Sequence, residues 1–407
     1  MLDVGQQLES TPAKPMRFID NFALWSSLGV TLTIPAAALY ILQPLGTNDF
    51  SLTAAITALI AGLLFGSLAL AGVAKIGADT GAPTMVLMRG LFGGKGSWAP
   101  TILNIAQCVG WAAVEILVIA HATERLLGGP LSLWLIVSGA IATLTSIRPL
   151  KFIRIIRKYV LWAVLLSTIY LFIAVLNKGF TLTTGSSWQG FWLALDVAIA
   201  LPISWAPLVA DYSRHAKSGS FKGTFYGYFL GAGTFFLLGI CALLTFVSID
   251  NSDVYGFSQA ILLLPFGALA LIILIVDEVD EAFANVYSTV ASIQNIRPKL
   301  SRFKLSIAVG FVATILSLTI DVVGYESFLF TIGALFVPLT AIMLVDWILN
   351  RQHWNLSIDA PMRWAPFISW VLGYIVYKYL HPEWLGASIS SFLVSGLLTA
   401  AFSWRRI

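Results

Sequence analysis

Residues 263–296 read LLPFGALALIILIVDEVDEAFANVYSTVASIQNI, with Asp277, Glu278, Asp280 and Glu281 in the middle and no Lys or Arg. Carboxylates are costly in hydrocarbon, so such residues face a protein interior or a watery cavity and mark ion or substrate paths. The apolar runs on either side, Leu262–Val276 and Ala282–Ile293, are each short for a span of about 20 residues. One helix carrying the acids is therefore expected, rather than two helices with an acidic loop between them. On that helix Asp277, Asp280 and Glu281 share a face, and Glu278 diverges toward the side of Asn285. A second constellation lies at Gln107, Trp111 and Glu115, spaced i, i+4, i+8 in SWAPTILNIAQCVGWAAVEILVIAHA. That spacing puts all three on one face. A polar and aromatic face within an apolar helix is expected to point inward.

These two helices need a scaffold, and composition defines it. The chain has 407 residues, 58% hydrophobic and 11% charged, whereas soluble domains are about 25% charged. A polytopic membrane protein is expected. Twelve spans are readable: 22–44, 52–74, 99–123, 131–147, 158–176, 190–210, 223–247, 263–294, 303–321, 327–349, 364–380 and 386–403. With both termini in the cytoplasm, 21 of the 24 Lys and Arg fall on the inner side; only Arg125, Lys178 and Lys378 lie outside. That is the positive-inside bias, which a miscounted span would spoil. The polar first 20 residues lead into an apolar run without an A-x-A-like cleavage site, so no cleaved signal peptide is expected. Cys108 and Cys241 lie in separate apolar segments and suggest neither a disulfide framework nor a zinc site. The net charge of +4 is no nucleic-acid signal here.

Residues 1–21 form a cytoplasmic tail. Spans one to five (22–176) and six to ten (190–349) are nearly equal in length, and five is odd, which is the arithmetic of an inverted repeat. The spans at 364–403 look peripheral. The first span of each half is punctuated, by Gly29 and Pro35 and by Pro202 and Pro207. Proline inside a helix removes a hydrogen bond and clashes with the preceding turn. Broken helices at matching positions point to a transporter binding site. Loop 77–97, GADTGAPTMVLMRGLFGGKGS, is Gly-rich, but Gly94-Lys95 is followed by Gly96, so it is no phosphate loop. A short inner helix is expected there. Asp196 and Asp346 lie within or near spans, with no role readable. The sequence holds no HExxH metal motif and no Gly-x-Ser-x-Gly elbow, so an enzyme is not expected.

The GADTGAP…RGLFG loop, Trp111 with Glu115, SWAPLVADYSR, DEAFANVYSTVASIQN and FVPLTAIMLVDW stand in an order and spacing that resemble the nucleobase–cation symporters of the first family. That group contains cytosine permeases and the bacterial hydantoin transporter. The resemblance covers residues 20–350 and is nearest to the cytosine-permease branch, which includes carriers of hydroxymethylpyrimidine, a thiamine precursor. It implies the leucine-transporter fold, an all-α polytopic membrane protein with a 5+5 inverted repeat, broken first and sixth helices and two peripheral helices. It implies that a substrate ring stacks on Trp111 and that Glu115, one turn on, binds its edge. Ser204, Trp205 and Thr33 from the broken spans and Asn285 in span eight complete the substrate set, with Gln107 on the same face as Trp111. The cation site implied joins backbone carbonyls near Gly29 and Leu32 to span eight. There Val279 and Asp280 stand where relatives carry small hydroxyl residues, which leaves sodium and proton both open. Asp277, Glu281 and Glu278 are further coupling candidates.

Aromatic faces with a few converging polar groups suit a flat heterocycle. An ionised Glu115 only accepts hydrogen bonds, so it favours a ligand with an exocyclic amine, as a 4-aminopyrimidine has. The expectation is a secondary active importer in the cell membrane that carries hydroxymethylpyrimidine or cytosine with sodium or a proton and uses no cofactor. The alternatives are a purine, hydantoin or allantoin carrier, or an amino-acid symporter of the same fold. The sequence does not indicate the oligomeric state.

Overall fold

A computed structural model describes residues 14–147, 152–153, 155–179, 185–246, 256–320, 325–350 and 354–404. The described residues are helical, with three isolated β-bridges and no longer strand. The helices are α1 (Phe18–Ser27), α2 (Ile34–Leu42), α3 (Leu52–Thr80), α4 (Thr84–Phe92), α5 (Trp98–Leu127), α6 (Leu131–Ser146), α7 (Leu161–Lys178) and α8 (Phe191–Ser204). They continue with α9 (Val209–Ser213), α10 (Ser220–Phe246), α11 (Gly256–Leu262), α12 (Gly267–Ile296), α13 (Arg302–Ser317), α14 (Tyr325–Leu349), α15 (Trp364–Ile375) and α16 (Ala387–Trp404). Six helical stretches among them are long and apolar enough to cross a membrane.

The first expected span is two helices, α1 and α2, with residues 28–33 unwound between them. Pro35 sits in the first turn of α2, where a proline removes no helical bond. The sixth span is likewise α8 and α9, separated by Trp205–Leu208. The turn is held by i to i+3 bonds, from Ala206 N–H to the Ile203 carbonyl (3.0 Å) and from Leu208 N–H to the Trp205 carbonyl (3.1 Å). Pro207 has no N–H to offer a continuing helix. The acid-bearing span is one continuous helix of 30 residues. It begins at Gly267, later than position 263, because Phe266 holds a left-handed φ of 54° that stops the chain entering it sooner. The short inner helix expected in loop 77–97 is α4. The end of the ninth expected span, at 321, lies outside the described residues, as do 1–13 of the expected tail.

Packing repeats when first-half spans are exchanged for second-half ones. Helix α1 packs on α10 as α8 packs on α3, and α2 packs on α10 as α9 packs on α3. The α5–α13 contact answers α6–α12, and α5 packs on α12 directly. Small residues make two of these seams possible, as in other membrane helix pairs. On α10, Gly223, Gly227 and Gly231 recur every four residues against α1; a Cβ at Gly227 would lie 2.6 Å from the Phe22 carbonyl oxygen. On α3, Gly62 and Gly66 face α8, and a Cβ at Gly62 would lie 2.5 Å from the Ala198 Cβ. Helix α16 is tied in rather than loosely appended, because the Asp196 carboxylate on α8 accepts the N–H groups of Ala387 (2.9 Å) and Ser388 (2.8 Å). An acid there caps that helix's N-terminus.

Candidate functional site: a cavity between the broken helices and the acidic helix

The two breaks face α5 and α12 across a small, tightly closed cavity of about 20 Å³. Trp111 and Glu115 line it from α5, Glu281 and Asn285 from α12, and Thr33 and Thr31 from the first break. Ser204 and Trp205 line it from the second break, and Tyr228 closes it from α10. Trp205 meets Trp25 edge-on at 6.0 Å, and Trp111 packs on Phe328 at 5.1 Å. These contacts fix the two indole faces.

Gln107 stands apart from this lining. Its side-chain amide donates to the Ser204 carbonyl (3.1 Å) and to Asn104 (2.9 Å), so it braces the second break from behind. The acids on α12 divide differently from their helical-wheel grouping. Ser27 Oγ donates to Asp277 (2.5 Å) at the end of α1. Glu278 accepts the Leu32 N–H (2.7 Å) and the Thr31 hydroxyl (2.7 Å), satisfying backbone that unwinding released. Leu32 therefore meets α12 through its N–H. Glu281 approaches Glu115 on α5. Carboxylate oxygens of Glu115, Glu278 and Glu281 lie within 4.8 Å of one another, all three side chains buried. Both oxygens of Glu115, both of Asp280 and Oε1 of Glu281 are buried and have no hydrogen-bond partner among the described residues. Gly29 packs on α10, where a Cβ would lie 2.7 Å from the Ala232 nitrogen.

The cytoplasm-facing end expected from the sequence is held by a separate network. The Thr84 N–H donates to Asp211 (2.9 Å), and the Ala210 N–H donates to the Thr84 hydroxyl (3.0 Å), joining α4 to α9. Arg89 donates to the Asn295 side chain (2.7 Å) and carbonyl (2.8 Å). Asp346 pairs with Arg363 through two bonds (2.7 and 2.9 Å) and accepts the Trp354 indole N–H (2.8 Å). Asp196 and Asp346 are thus a cap and an ion-pair partner.

Sequence reasoning missed Thr31, Tyr228 and Ser27. Thr31 stands in an unremarkable hydroxyl-rich run. Tyr228 lies on the Gly-rich face of span seven, whose four-residue period was a readable sign that something approaches closely.

Residues 20–363 match the model of a family described as permeases for cytosine/purines, uracil, thiamine and allantoin. The cytosine permease of Escherichia coli (strain K12) is 26% identical over 358 residues, covering 84% of this chain and 82% of that protein. The structure superposes on Mhp1, a nucleobase-cation-symport-1 family transporter solved closed with bromovinylhydantoin bound, with a TM-score of 0.80. Identity there is 17%, over 100% of this chain and 96% of that one. A sodium-coupled sialic acid symporter, 11% identical, shares the fold at a TM-score of 0.64, over 95% of this chain and 89% of that one.

Proposed function

The chain belongs to the family of permeases for cytosine/purines, uracil, thiamine and allantoin, and on that footing we propose that it imports an aminopyrimidine by cation symport. Hydroxymethylpyrimidine is the leading substrate and cytosine the next. The observation that carries this reading is Glu115, fully buried on the cavity wall one turn from Trp111, with neither oxygen accepting a hydrogen bond from the described residues. A carboxylate set there seeks donors. The exocyclic amine and protonated ring nitrogen of an aminopyrimidine meet it side by side while the ring lies on an indole face. A uracil or hydantoin turns carbonyl oxygens toward the same carboxylate. Asn285, Ser204, Trp205 and Thr33 supply the remaining contacts, and Gln107 holds the Ser204 backbone in place.

An amino-acid symporter needs donors for a substrate carboxylate. The cavity lining contains two glutamates and no Lys, Arg or His, which disfavours that rival. The coupling cation meets the chain along α12 opposite the unwound residues 28–33, with Asp280 the first candidate ligand beside Gly29 and Leu32, and Asp277 next. The five-span units 22–176 and 190–349 together enclose the cavity and give alternating access to it, in a cell membrane with both termini cytoplasmic. Uptake of labelled hydroxymethylpyrimidine into proteoliposomes, with cytosine, adenine and hydantoin as competitors, tests the substrate. Cytosine is expected to compete best. Competition by hydantoin or adenine alone moves the assignment to that branch.

A further inference from the structure

We infer that Glu281 determines specificity: its carboxylate accepts from a second donor group on the substrate, carried by the ring carbon next to the amine that Glu115 binds. The inference rests on the aminopyrimidine reading and deepens it, because it separates ring compounds that Glu115 alone treats alike.

Two observations carry it. The first is a pair of acceptors on one wall. Glu115 comes from α5 and Glu281 from α12, their carboxylate oxygens lie within 4.8 Å of each other, and both side chains line the cavity. They are 0% and 3% exposed, and both oxygens of Glu115 and Oε1 of Glu281 have no hydrogen-bond partner among the described residues. A buried acceptor left without a donor is costly, so a ligand that supplies donors to both acids is held better than one that supplies Glu115 alone. Glu278, the third acid nearby, is already committed, since it accepts from the Thr31 hydroxyl and the Leu32 N–H.

The second observation is that neighbouring polar groups spend their own protons inside the protein. The Ser204 hydroxyl donates to the Leu201 carbonyl (2.6 Å), and one side-chain N–H of Asn285 donates to the Glu281 carbonyl (3.1 Å). The single hydroxyl proton of Thr31 goes to Glu278, so in the 3.0 Å contact between Thr31 and Thr33 it is Thr33 that donates. What Ser204 and the two threonines leave for a ligand is acceptor capacity, and the lining has no Lys, Arg or His to supply donors. The ligand has to bring donors on more than one side.

The chemistry of the ring says where. Glu115 takes the protonated ring nitrogen and the nearer N–H of the exocyclic amine. The amine's other N–H points along the ring toward the substituent on the next carbon. An acceptor beside Glu115 meets that N–H together with whatever the next carbon carries. A hydroxymethyl group there brings an O–H to Glu281. A hydrogen atom, as in cytosine, or a methyl group brings none. The substrate class is thus a 4-aminopyrimidine with a donor-bearing substituent beside the amine.

The test is equilibrium binding to the full-length purified protein by titration calorimetry, at one fixed pH and sodium concentration. Three ligands share 4-amino-2-methylpyrimidine and differ at ring position 5, which carries hydroxymethyl, methoxymethyl or methyl. Only the first keeps an O–H donor. Affinities are compared as ratios within each protein, so that effects of a variant on the cation site or on the fold cancel. The native protein is expected to bind the hydroxymethyl compound about tenfold tighter than the other two. In Glu281→Ala that ratio is expected to fall to near one, and in Glu281→Gln, which keeps one neutral acceptor, to about threefold. A native protein that does not discriminate overturns the inference, and so does a native ratio that persists in both variants. Loss of all binding in both variants overturns it too, by assigning Glu281 to the architecture of the cavity. A native protein that binds none of the three but binds hydantoin or adenine brings down the aminopyrimidine reading itself, and the role of Glu281 with it.

Discussion

Glu115 is where the residue-scale chemistry concentrates. Glu115→Ala removes the acceptor and is expected to abolish uptake while leaving the thermal melting of the detergent-solubilised protein near native. Glu115→Gln replaces one acceptor oxygen with an N–H donor, and a shift in competition away from cytosine toward carbonyl-rich rings is expected. Unchanged selectivity in that variant would remove Glu115 from substrate recognition. Trp111→Ala is expected to weaken substrate binding about tenfold, the loss of roughly 1.4 kcal/mol that one stacked aromatic supplies. Titration of the purified protein with substrate reads it directly. Much of this was legible in the sequence, since four-residue spacing alone put Trp111 and Glu115 together on one face. Glu281 was less legible. It lies three residues from Glu278 and four from Asp277, and a helix makes both of them neighbours. Only the packing of α12 on α5 decides which way its carboxylate turns. Gln107 shares the helical face of Trp111 but lies one turn too far along to reach the cavity, a distinction that spacing does not hold.

Among the elements, the broken helices were the most readable, because glycine and proline act on the backbone wherever they stand. Gly29 falls in the unwound segment, Pro35 opens α2, Pro202 lies in the last turn of α8 and Pro207 lies within the second break. The seams between helices were present in the sequence as Gly223, Gly227 and Gly231, but a glycine repeat names no partner until the helices are assembled. Gly231→Leu would drive a side chain into the Ser26 backbone of α1. Overpacking of this kind costs about 1–3 kcal/mol, and a lowered melting temperature with reduced uptake is expected. The Asp346–Arg363 pair offers a sharper test. Asp346 is fully buried and Arg363 one-fifth exposed. Arg363→Ala leaves a buried carboxylate without its cation, a loss of about 3–5 kcal/mol, whereas replacing both partners by apolar residues costs much less. Thermal melts of Arg363→Ala and of the Asp346→Leu/Arg363→Met double variant decide it; a double variant less stable than the single would contradict the argument.

At the scale of the whole molecule, the packing pattern maps onto itself when the halves are exchanged, and it places both breaks beside both functional helices. Equal span counts and charge bias anticipated such an arrangement because both follow from insertion into a bilayer. They did not anticipate that Glu115 and Glu281 would share one cavity wall, since that follows only from the packing of the assembled bundle. The measurement that bears most directly on the proposed transport is concentrative uptake of labelled hydroxymethylpyrimidine into proteoliposomes, native against Glu115→Ala, with a proton gradient and a sodium gradient applied separately. Accumulation above the external concentration under one of the two gradients, competed by cytosine and lost in Glu115→Ala, is the expected result. Uptake that ignores Glu115→Ala, or a carrier that accumulates only hydantoins or purines, would contradict it.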